Sequence, residues 1–315
     1  METNSSENYV EQCKAKGKER IEETVKSIED MLGVDMELLN NCSVSVTGSD
    51  GRGENKDEIT SDYEFIFLSN LDGDEREEKK GKILKVFSDY LKKEPLYEEK
   101  NLIKGDLAKY NRDPKRVFFE RLIDTIPILG NETLISQSKK QLQEEILLEL
   151  TGIRKKYVKR FKEYQNIIQK GGIANFKGDL IQHYKDYDSE IELFFDKENN
   201  AVSVKYSHLR VIQNSVLIRI LDSFKDPQTQ ISLQEMPPNT IDKVKYLVDK
   251  AALNFTQEDI SEVEEVYGYF LKLYHESAKH FYHTGQKQHI IAGDNVPYFR
   301  DATKSLIQAA QIIRE

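Results

Sequence analysis

The hydrophobic period of this chain changes twice, and this change limits the possible folds more than any other feature of the sequence. Between Tyr9 and Leu32 the apolar residues recur at spacings that fit one face of a helix. From Cys42 to Thr47 small polar and β-branched residues alternate instead, as they do in a strand. After Thr133 the apolar spacing returns to three or four residues. We therefore expect an α+β protein with strands near its N-terminus and a mainly helical remainder.

The first part of the chain predicts a small unit with a mixed sheet and an N-terminal helix. Tyr63 to Leu68 is a second, mostly apolar strand pattern, and Glu75 to Lys93 has the period of a helix. Residues 94–118 show no clear period. The short apolar intervals from Val117 to Leu129 indicate a helix or a strand. We expect these elements to form a first domain over residues 1–132.

The second domain, residues 133–315, is predicted to be mainly helical. It begins with a long helix from Thr133 to about Gln169, which the pair Gly171-Gly172 ends. Two strand-like runs within 191–206 flank a turn-rich spacer and predict a hairpin. Further helices are expected at 207–224, 240–254, 256–283 and 298–314.

Composition narrows the classes of function. The chain has 46 Lys and Arg against 55 Asp and Glu, a formal charge of −9, whereas proteins that bind duplex nucleic acid carry a basic surface. Cys13 and Cys42 are too few for a disulfide framework or a cysteine zinc site. The polar N-terminus lacks the apolar core of a signal peptide, and no apolar run approaches the ~18 residues of a membrane span. We expect a cytoplasmic protein without a membrane or duplex nucleic-acid partner.

A glycine-rich segment between the first two strands carries the chemistry. Gly48 allows backbone N–H groups to approach a phosphate, Ser49 adds a hydroxyl donor, and Arg52 has a fork that pairs with oxyanions. Asp62 and Glu64 open the next strand, two residues apart, where side chains share a face with Cα atoms ~6.5–7 Å apart. Paired carboxylates can hold hard divalent cations, which stabilise an in-line phosphoryl displacement. Gly-Ser and Asp-x-Glu are each common in turns and solvated edges, but their combination predicts a metal-dependent nucleotidyl transfer site.

This segment resembles the DNA polymerase beta superfamily of nucleotidyltransferases, whose hallmark is Gly-Ser, a short loop and Asp-x-Asp/Glu. The version here is Gly48-Ser-Asp-Gly-Arg-Gly-Glu54 followed by Ser61-Asp-Tyr-Glu64. It is similar to the branch that holds PII uridylyltransferase and glutamine-synthetase adenylyltransferase, and to the CBS-associated nucleotidyltransferases. The resemblance implies that Asp62 and Glu64 bind two Mg²⁺ ions, or Mn²⁺ in their place. It also implies transfer of a nucleoside monophosphate from a nucleoside triphosphate to a hydroxyl, with release of pyrophosphate.

Three further patches extend the resemblance over about residues 40–215. Gly105 to Asn111 and Glu120 to Leu134 are similar to segments of the CBS-associated family. Val204 to Arg210 resembles the Lys-x-x-Gly-Leu-Arg element that opens the family's helical domain, with His208 in place of the glycine. The resemblance implies that Lys205 and Arg210 bind the nucleotide.

A third carboxylate completes the catalytic set of this superfamily, where it activates the acceptor hydroxyl. Asp106 and Glu98 are the candidates by their positions in the sequence, and we assign the catalytic role to Asp106. Neither residue lies in a recognisable third acidic strand. The other departures from the family pattern are this missing strand, Thr125-Ile-Pro127, which lacks the family's usual arginine, and Glu64, which stands where the branch usually has Asp and aminoglycoside nucleotidyltransferases have Glu.

Three functions are consistent with these residues. The first is a nucleotidyltransferase that acts on a hydroxyl of a protein or a small molecule. The second is a catalytically impaired nucleotide-binding or regulatory interaction module that keeps the fold without turnover. The third is an antibiotic-modifying enzyme of the aminoglycoside type, whose cationic substrates suit an acidic protein. We favour the first, and the sequence contains no pattern that assigns an oligomeric state.

Overall fold

The computed structural model describes residues 9–33, 39–55, 64–71, 73–91, 96–99, 114–169, 190–194, 203–226, 228–286 and 288–315. These residues form both helices and a small sheet, which confirms the mixed class predicted from the sequence. They divide into two compact units. The sheet unit comprises the described residues of Cys13–Ile153 and Ser232–Asp242. The helical unit comprises those of Met1–Gln12, Arg154–Ile231 and Lys243–Glu315.

The first 169 residues contain five helices and four strands among the residues described. In chain order they are α1 (Tyr9–Leu32), β1 (Cys42–Thr47), α2 (Gly48–Gly51), β2 (Glu64–Ser69), α3 (Gly73–Leu91), β3 (Leu96–Glu99), α4 (Pro114–Ile123), β4 (Ile126–Gly130) and α5 (Thr133–Gln169). The predicted bounds of α1 and α5 are confirmed, because each helix has a long, uninterrupted apolar period.

The four strands form one mixed sheet in the order β3-β2-β1-β4. β2 and β4 each run antiparallel to β1, and β3 runs parallel to β2. On one face Val44 and Val46 lie opposite Phe67 and Phe65, and they pack in a core with residues of α1 and α3 such as Ile28. The alternation seen in the sequence of β1 therefore gives one apolar face.

The other face of the sheet packs on the start of α5. Ile66 and Leu68 of β2 form a buried cluster with Leu134 and Ile135 of that helix. The neighbouring β1 residues on this face are small serines, which are fully buried. Both faces of the sheet are thus covered along most of β1. The strand ends at Thr47, where the glycine-rich segment begins.

Two sections of the first part differ from the sequence expectation. Val117 to Leu129, predicted as one helix or strand, contains the end of α4 and nearly all of β4, separated by Asp124 and Thr125. The section without a clear period, 94–118, contains β3. A strand of four residues is too short to show a period, which explains why the apolar pattern did not predict it.

The part of the chain described after residue 169 is mainly helical. Its elements are β5 (Glu190–Phe194), a π-helical turn (Lys205–Leu209), α6 (Arg210–Ser223), α7 (Thr240–Asp249), α8 (Gln257–Thr284), β6 (Gln288–Ala292) and α9 (Asn295–Arg314). Thr256 and Asp259 form a capping box at the start of α8. None of the helices in the described ranges has both the length and the apolarity needed to cross a bilayer.

The predicted hairpin within 191–206 is wrong. β5 pairs antiparallel with β6, which lies close to the C-terminal end of the sequence. In this pair Ile191 lies opposite Ile291. The predicted second strand instead enters the π-helical turn at Lys205, where Ser207 N donates to Ser203 O at 2.9 Å. Six residues of alternating pattern fit a strand or a helical turn equally well, so local sequence could not separate the two.

Candidate functional site

The glycine-rich segment after β1 consists of the single helical turn α2 and the four residues that follow it. We call residues Gly48–Asn55 the glycine loop. Gly48 has φ of +68°, in the left-handed region that glycine adopts without strain. Arg52 N donates to Gly48 O at 3.0 Å, and Glu54 N donates to Ser49 O at 2.9 Å. These two bonds tie the later half of the loop to the Gly-Ser pair.

Gly51 is fixed by the close approach of other backbone segments. A Cβ atom at this position would lie 2.0 Å from Asp124 O and 2.9 Å from Val46 O. Both are backbone atoms of ordered segments, so neither can rotate away as a side chain could. The second glycine of the motif therefore allows the loop to pack against the residues that precede β4.

Ser49 is oriented by a neighbour within the loop. Its Oγ accepts a hydrogen bond from Asn55 Nδ2 at 3.0 Å. A hydroxyl that accepts one bond keeps its own O–H for donation, which is the capacity a phosphate ligand requires. Asn55 is buried, and no described residue bonds to its Oδ1.

Arg52 has a different environment from the one the sequence suggested. Its side chain is 6% exposed, Nε donates to Glu54 Oε2 at 2.7 Å, and Nη1 donates to Asp124 Oδ2 at 2.5 Å. The guanidinium is thus engaged by two carboxylates inside the protein. This geometry favours a role in holding the loop over the phosphate-binding role that we predicted.

Two residues from a distant part of the chain complete the environment of the loop. Asn239 Nδ2 donates to Arg52 O at 2.7 Å, and Thr240 Oγ1 donates to Glu54 Oε1 at 2.6 Å. Both side chains are buried. The carboxylate of Glu54 therefore receives one donor on each oxygen, one from the loop and one from Thr240.

A further ion pair holds the loop to α1. Arg20 of that helix donates to the buried carboxylate of Asp50. A buried charge costs several kcal/mol unless it is paired, and the loop's buried charges all have partners of opposite sign. The loop is therefore a fixed part of the sheet unit.

The predicted metal ligands lie at the start of β2. Glu64 is the first residue of this strand and pairs with Thr47, which directly precedes Gly48. The backbone register thus brings the position of Glu64 beside the start of the glycine loop. Asp62 lies outside the described residues. Within the residues that are described, no group of three or more His, Cys, Asp or Glu side chains could hold a metal ion.

Of the two candidates for a third carboxylate, only Glu98 falls in the part of the chain that is described. It lies in β3 opposite Ile66. Two residues earlier on each strand, Leu96 lies opposite Glu64. Strand residues alternate between faces, so Glu64 and Glu98 take register positions of the same parity on adjacent strands. Asp106, to which we assigned the catalytic role, lies outside the described residues.

Lys205 and Arg210 belong to the helical unit, one at the start of the π-helical turn and the other directly after it. Lys205 Nζ donates to the hydroxyl of Tyr274 at 3.2 Å and lies 5.1 Å from the centre of the same ring. The association of Lys205 and Arg210 with a nucleotide stays a prediction.

His208, which replaces the family's glycine between them, is a buried core residue. It stacks on Phe270 with ring centres 4.3 Å apart, and its Nδ1 is 2.9 Å from Ser207 Oγ. Burial lowers the pKa of His208 to about 3, so the imidazole is neutral at pH 7. It therefore adds no charge to this element.

Sequence reasoning identified the loop but missed most of the residues that hold it. Asp124 lies within a stretch that resembles the family, yet nothing marks it as the partner of Arg52. Arg20, Asn239 and Thr240 have no local signal beyond the ordinary preference of Asn and Thr for helix starts. Such contacts between distant segments become visible only in the folded chain.

The geometry brings together two chemical elements, a glycine turn that carries the Ser49 hydroxyl and a strand that begins with an acid. A scan with protein-family models and a search of curated proteins find no match to this chain.

Proposed function

We propose that this protein binds a nucleoside triphosphate with Mg²⁺ and transfers the nucleoside monophosphate to a hydroxyl of a protein or small-molecule acceptor. The observation that carries the proposal is the pairing of Thr47 with Glu64. This register makes the Gly-Ser turn and the acidic strand neighbours, although the sequence separates them. Phosphoryl transfer needs this combination, because catalysis rests on positioning the phosphates and neutralising their charge.

The glycine loop would hold the phosphates of the nucleotide. The left-handed backbone at Gly48 supports a turn with N–H groups available to an anion. The hydroxyl of Ser49, fixed by Asn55, supports donation of a further hydrogen bond to a phosphate oxygen. Arg52 would act by holding this turn in shape rather than by contacting the ligand.

Asp62 and Glu64 would hold the metal. Carboxylate oxygens are the hard ligands that Mg²⁺ prefers, and Mg²⁺ in nucleotide sites is typically bound by one or two carboxylates together with phosphate oxygens. Two acids that are two residues apart in the sequence, the second at a register position beside the proposed phosphate-binding turn, fit that donor set. When bound, Mg²⁺ or Mn²⁺ would neutralise phosphate charge and stabilise the leaving pyrophosphate.

The acceptor hydroxyl needs a base, and Glu98 is the described residue whose position suits that role. Its register relative to Glu64 supports the assignment. The acceptor oxygen would attack the α-phosphorus while its proton passes to a carboxylate. The bond from the α-phosphorus to the bridging oxygen would break, and pyrophosphate would leave.

Release of pyrophosphate tests the proposal. Each of the four nucleoside triphosphates is incubated with the protein, Mg²⁺ or Mn²⁺, and a panel of acceptors that includes a cell extract and aminoglycosides. We expect release with at least one combination, and a loss of at least a hundredfold in the variant Asp62→Asn/Glu64→Gln. Glu77→Gln, an exposed acid on α3, is the matched control and should keep full activity.

The same assay separates the alternatives. Modification of an aminoglycoside, seen by mass spectrometry, would select the antibiotic-modifying enzyme. Binding of Mg²⁺ and nucleotide by calorimetry, with no release for any acceptor, would select the nucleotide-binding module and reject transfer. Release that is unchanged by the double substitution would reject the assignment of Asp62 and Glu64.

A further inference from the structure

Two buried side chains at the start of α7 contact the glycine loop from a distant part of the sequence. Asn239 and Thr240 follow their loop partners by 187 and 186 residues. Asn239 donates from Nδ2 to a backbone carbonyl, that of Arg52, at 2.7 Å. Thr240 donates from Oγ1 to the carboxylate of Glu54 at 2.6 Å. Water does not compete for these bonds, because all four residues are buried.

The two ends of the Asn239 side chain have separate partners. Its Oδ1 caps α7, accepting from Ile241 N at 2.9 Å and from Asp242 N at 3.2 Å. Its Nδ2 bonds to the loop and plays no part in the cap. A substitution can therefore remove the loop contact and leave the helix cap in place.

The contacts act on the part of the loop that determines the shape of the Gly-Ser turn. Arg52 N donates to Gly48 O, and Glu54 N donates to Ser49 O. A shift of residues 52–54 would therefore be transmitted directly through the backbone to both residues of the turn. The ion pair of Arg52 with Glu54 lies within the loop, so contacts from outside it set the position of residues 52–54: Asp124 binds the Arg52 side chain, and Asn239 and Thr240 bind the Arg52 carbonyl and the Glu54 carboxylate.

We propose that Asn239 and Thr240 are positioning residues for the glycine loop. They hold residues 52–54 in place, and this keeps Gly48 and Ser49 in the conformation that receives phosphate. The effect on nucleotide binding rests on the proposed function, whereas the effect on loop order does not.

Near-isosteric substitutions isolate the two contacts. Asn239→Asp keeps the Oδ1 cap of α7, removes the donor to the loop and places a carboxylate oxygen against the carbonyl of Arg52. Thr240→Val keeps the branched shape and removes the hydroxyl, and Thr240→Ser restores the hydroxyl. Thr256→Val is the control, because it removes the cap of another helix, α8, in the helical unit.

Hydrogen exchange of the backbone amides of residues 52–54 is the first measurement. We expect exchange about tenfold faster in Asn239→Asp and Thr240→Val, the change produced by losing one hydrogen bond to a buried partner. Thr240→Ser and Thr256→Val should exchange these amides at the wild-type rate. Unchanged protection in Asn239→Asp and Thr240→Val, with both variants folded by circular dichroism, would overturn the proposal.

Nucleotide kinetics are the second measurement. We expect the KM for the triphosphate to rise about tenfold in the two variants and to return toward wild type in Thr240→Ser. Faster exchange with an unchanged KM would overturn the positioning role and leave only a structural one. If the wild-type protein binds no nucleotide, the proposed function fails, and the exchange rates alone decide whether Asn239 and Thr240 fix the loop.

Discussion

At the scale of single residues, Gly51 lets two backbone segments pack closely because it has no side chain. The carbonyl oxygen of Asp124 occupies the space that a Cβ atom would take, and that of Val46 lies close by. The side chain of Asp124 also accepts a hydrogen bond from Arg52. The close contact between Gly51 and the Asp124 backbone therefore also places a carboxylate beside the guanidinium. The loop sequence is thus constrained by packing as well as by its proposed ligand.

Gly51→Ala should destabilise the protein by about 3 kcal/mol, because the added methyl overlaps backbone atoms that cannot rotate away. Urea unfolding measures the change. Gly81→Ala on α3 is the control, since a Cβ there meets nothing within 4 Å, and it should stabilise by up to about 1 kcal/mol. Equal stabilities for the two variants would contradict the packing at Gly51.

His208 makes the stability depend on pH in a defined direction. Its pKa is lowered to about 3 in the folded protein, from an unfolded value near ~6.5. The folded state therefore binds fewer protons, and stability is lost as the pH falls below about 6.5 toward 3.

We expect His208 to contribute a loss of about 1 kcal/mol between pH 7 and pH 5.5. Urea unfolding at the two pH values gives the total change in the free energy of unfolding with pH. The same measurements on His208→Asn give this change without the contribution of the histidine. An identical slope for the two proteins would show that His208 does not titrate on unfolding.

At the scale of elements, the pairing of β5 with β6 shows why strand partners are hard to predict. Each strand has five residues, and their sequences are separated by α6, α7 and α8. On β6 Ile291 is buried opposite Ile191, whereas the adjacent Ile290 is 54% exposed. The strand therefore has one face toward the core of the unit and one away from it.

Substitution of the two neighbouring isoleucines tests this orientation. Ile291→Ala should destabilise by about 2–4 kcal/mol, because it removes buried methyl groups and leaves a cavity. Ile290→Ala removes the same atoms from the surface and should change stability by less than about 0.5 kcal/mol. Similar losses in thermal or urea unfolding would contradict the pairing of β5 with β6.

The sequence predicts well those features that depend on one continuous segment of the chain. The bounds of α1 and α5 follow from their own apolar periods, and the end of β1 before Gly48 follows from the glycine-rich sequence after it. The partners of the loop could not be predicted, since nothing in Asn239 or Thr240 identifies a residue so far away. Arg52 shows the same limit, because the sequence cannot distinguish a guanidinium that binds phosphate from one that binds carboxylates.

At the scale of the whole molecule, the charge of −9 affects how a triphosphate could be held. Among the described residues, the buried ion pairs of the loop join two arginines to three carboxylates, namely Arg20, Arg52, Asp50, Glu54 and Asp124. These five groups sum to a charge of −1, so they supply no surplus positive charge for a phosphate. On the proposed function, the metal must therefore supply much of the charge that binds the nucleotide.

Removal of divalent cations should consequently abolish nucleotide binding. We expect the affinity for the triphosphate to fall by about a hundredfold or more in EDTA, and to return on addition of Mg²⁺ or Mn²⁺. Calorimetry measures both states, with unfolding in EDTA as the control for the integrity of the protein. Tight binding in EDTA would mean that protein cations hold the phosphates.

The contacts of the loop with Asn239 and Thr240 also impose an order on biosynthesis. Arg52 and Asn239 are 187 residues apart, so at about 5–20 residues per second a ribosome adds the second roughly 10–40 s after the first. During that interval the growing chain already contains the complete glycine motif but lacks Asn239 and Thr240, whose side chains bond to it. A messenger truncated before codon 239 would encode the motif in a chain that can never assemble this loop as it stands in the full protein.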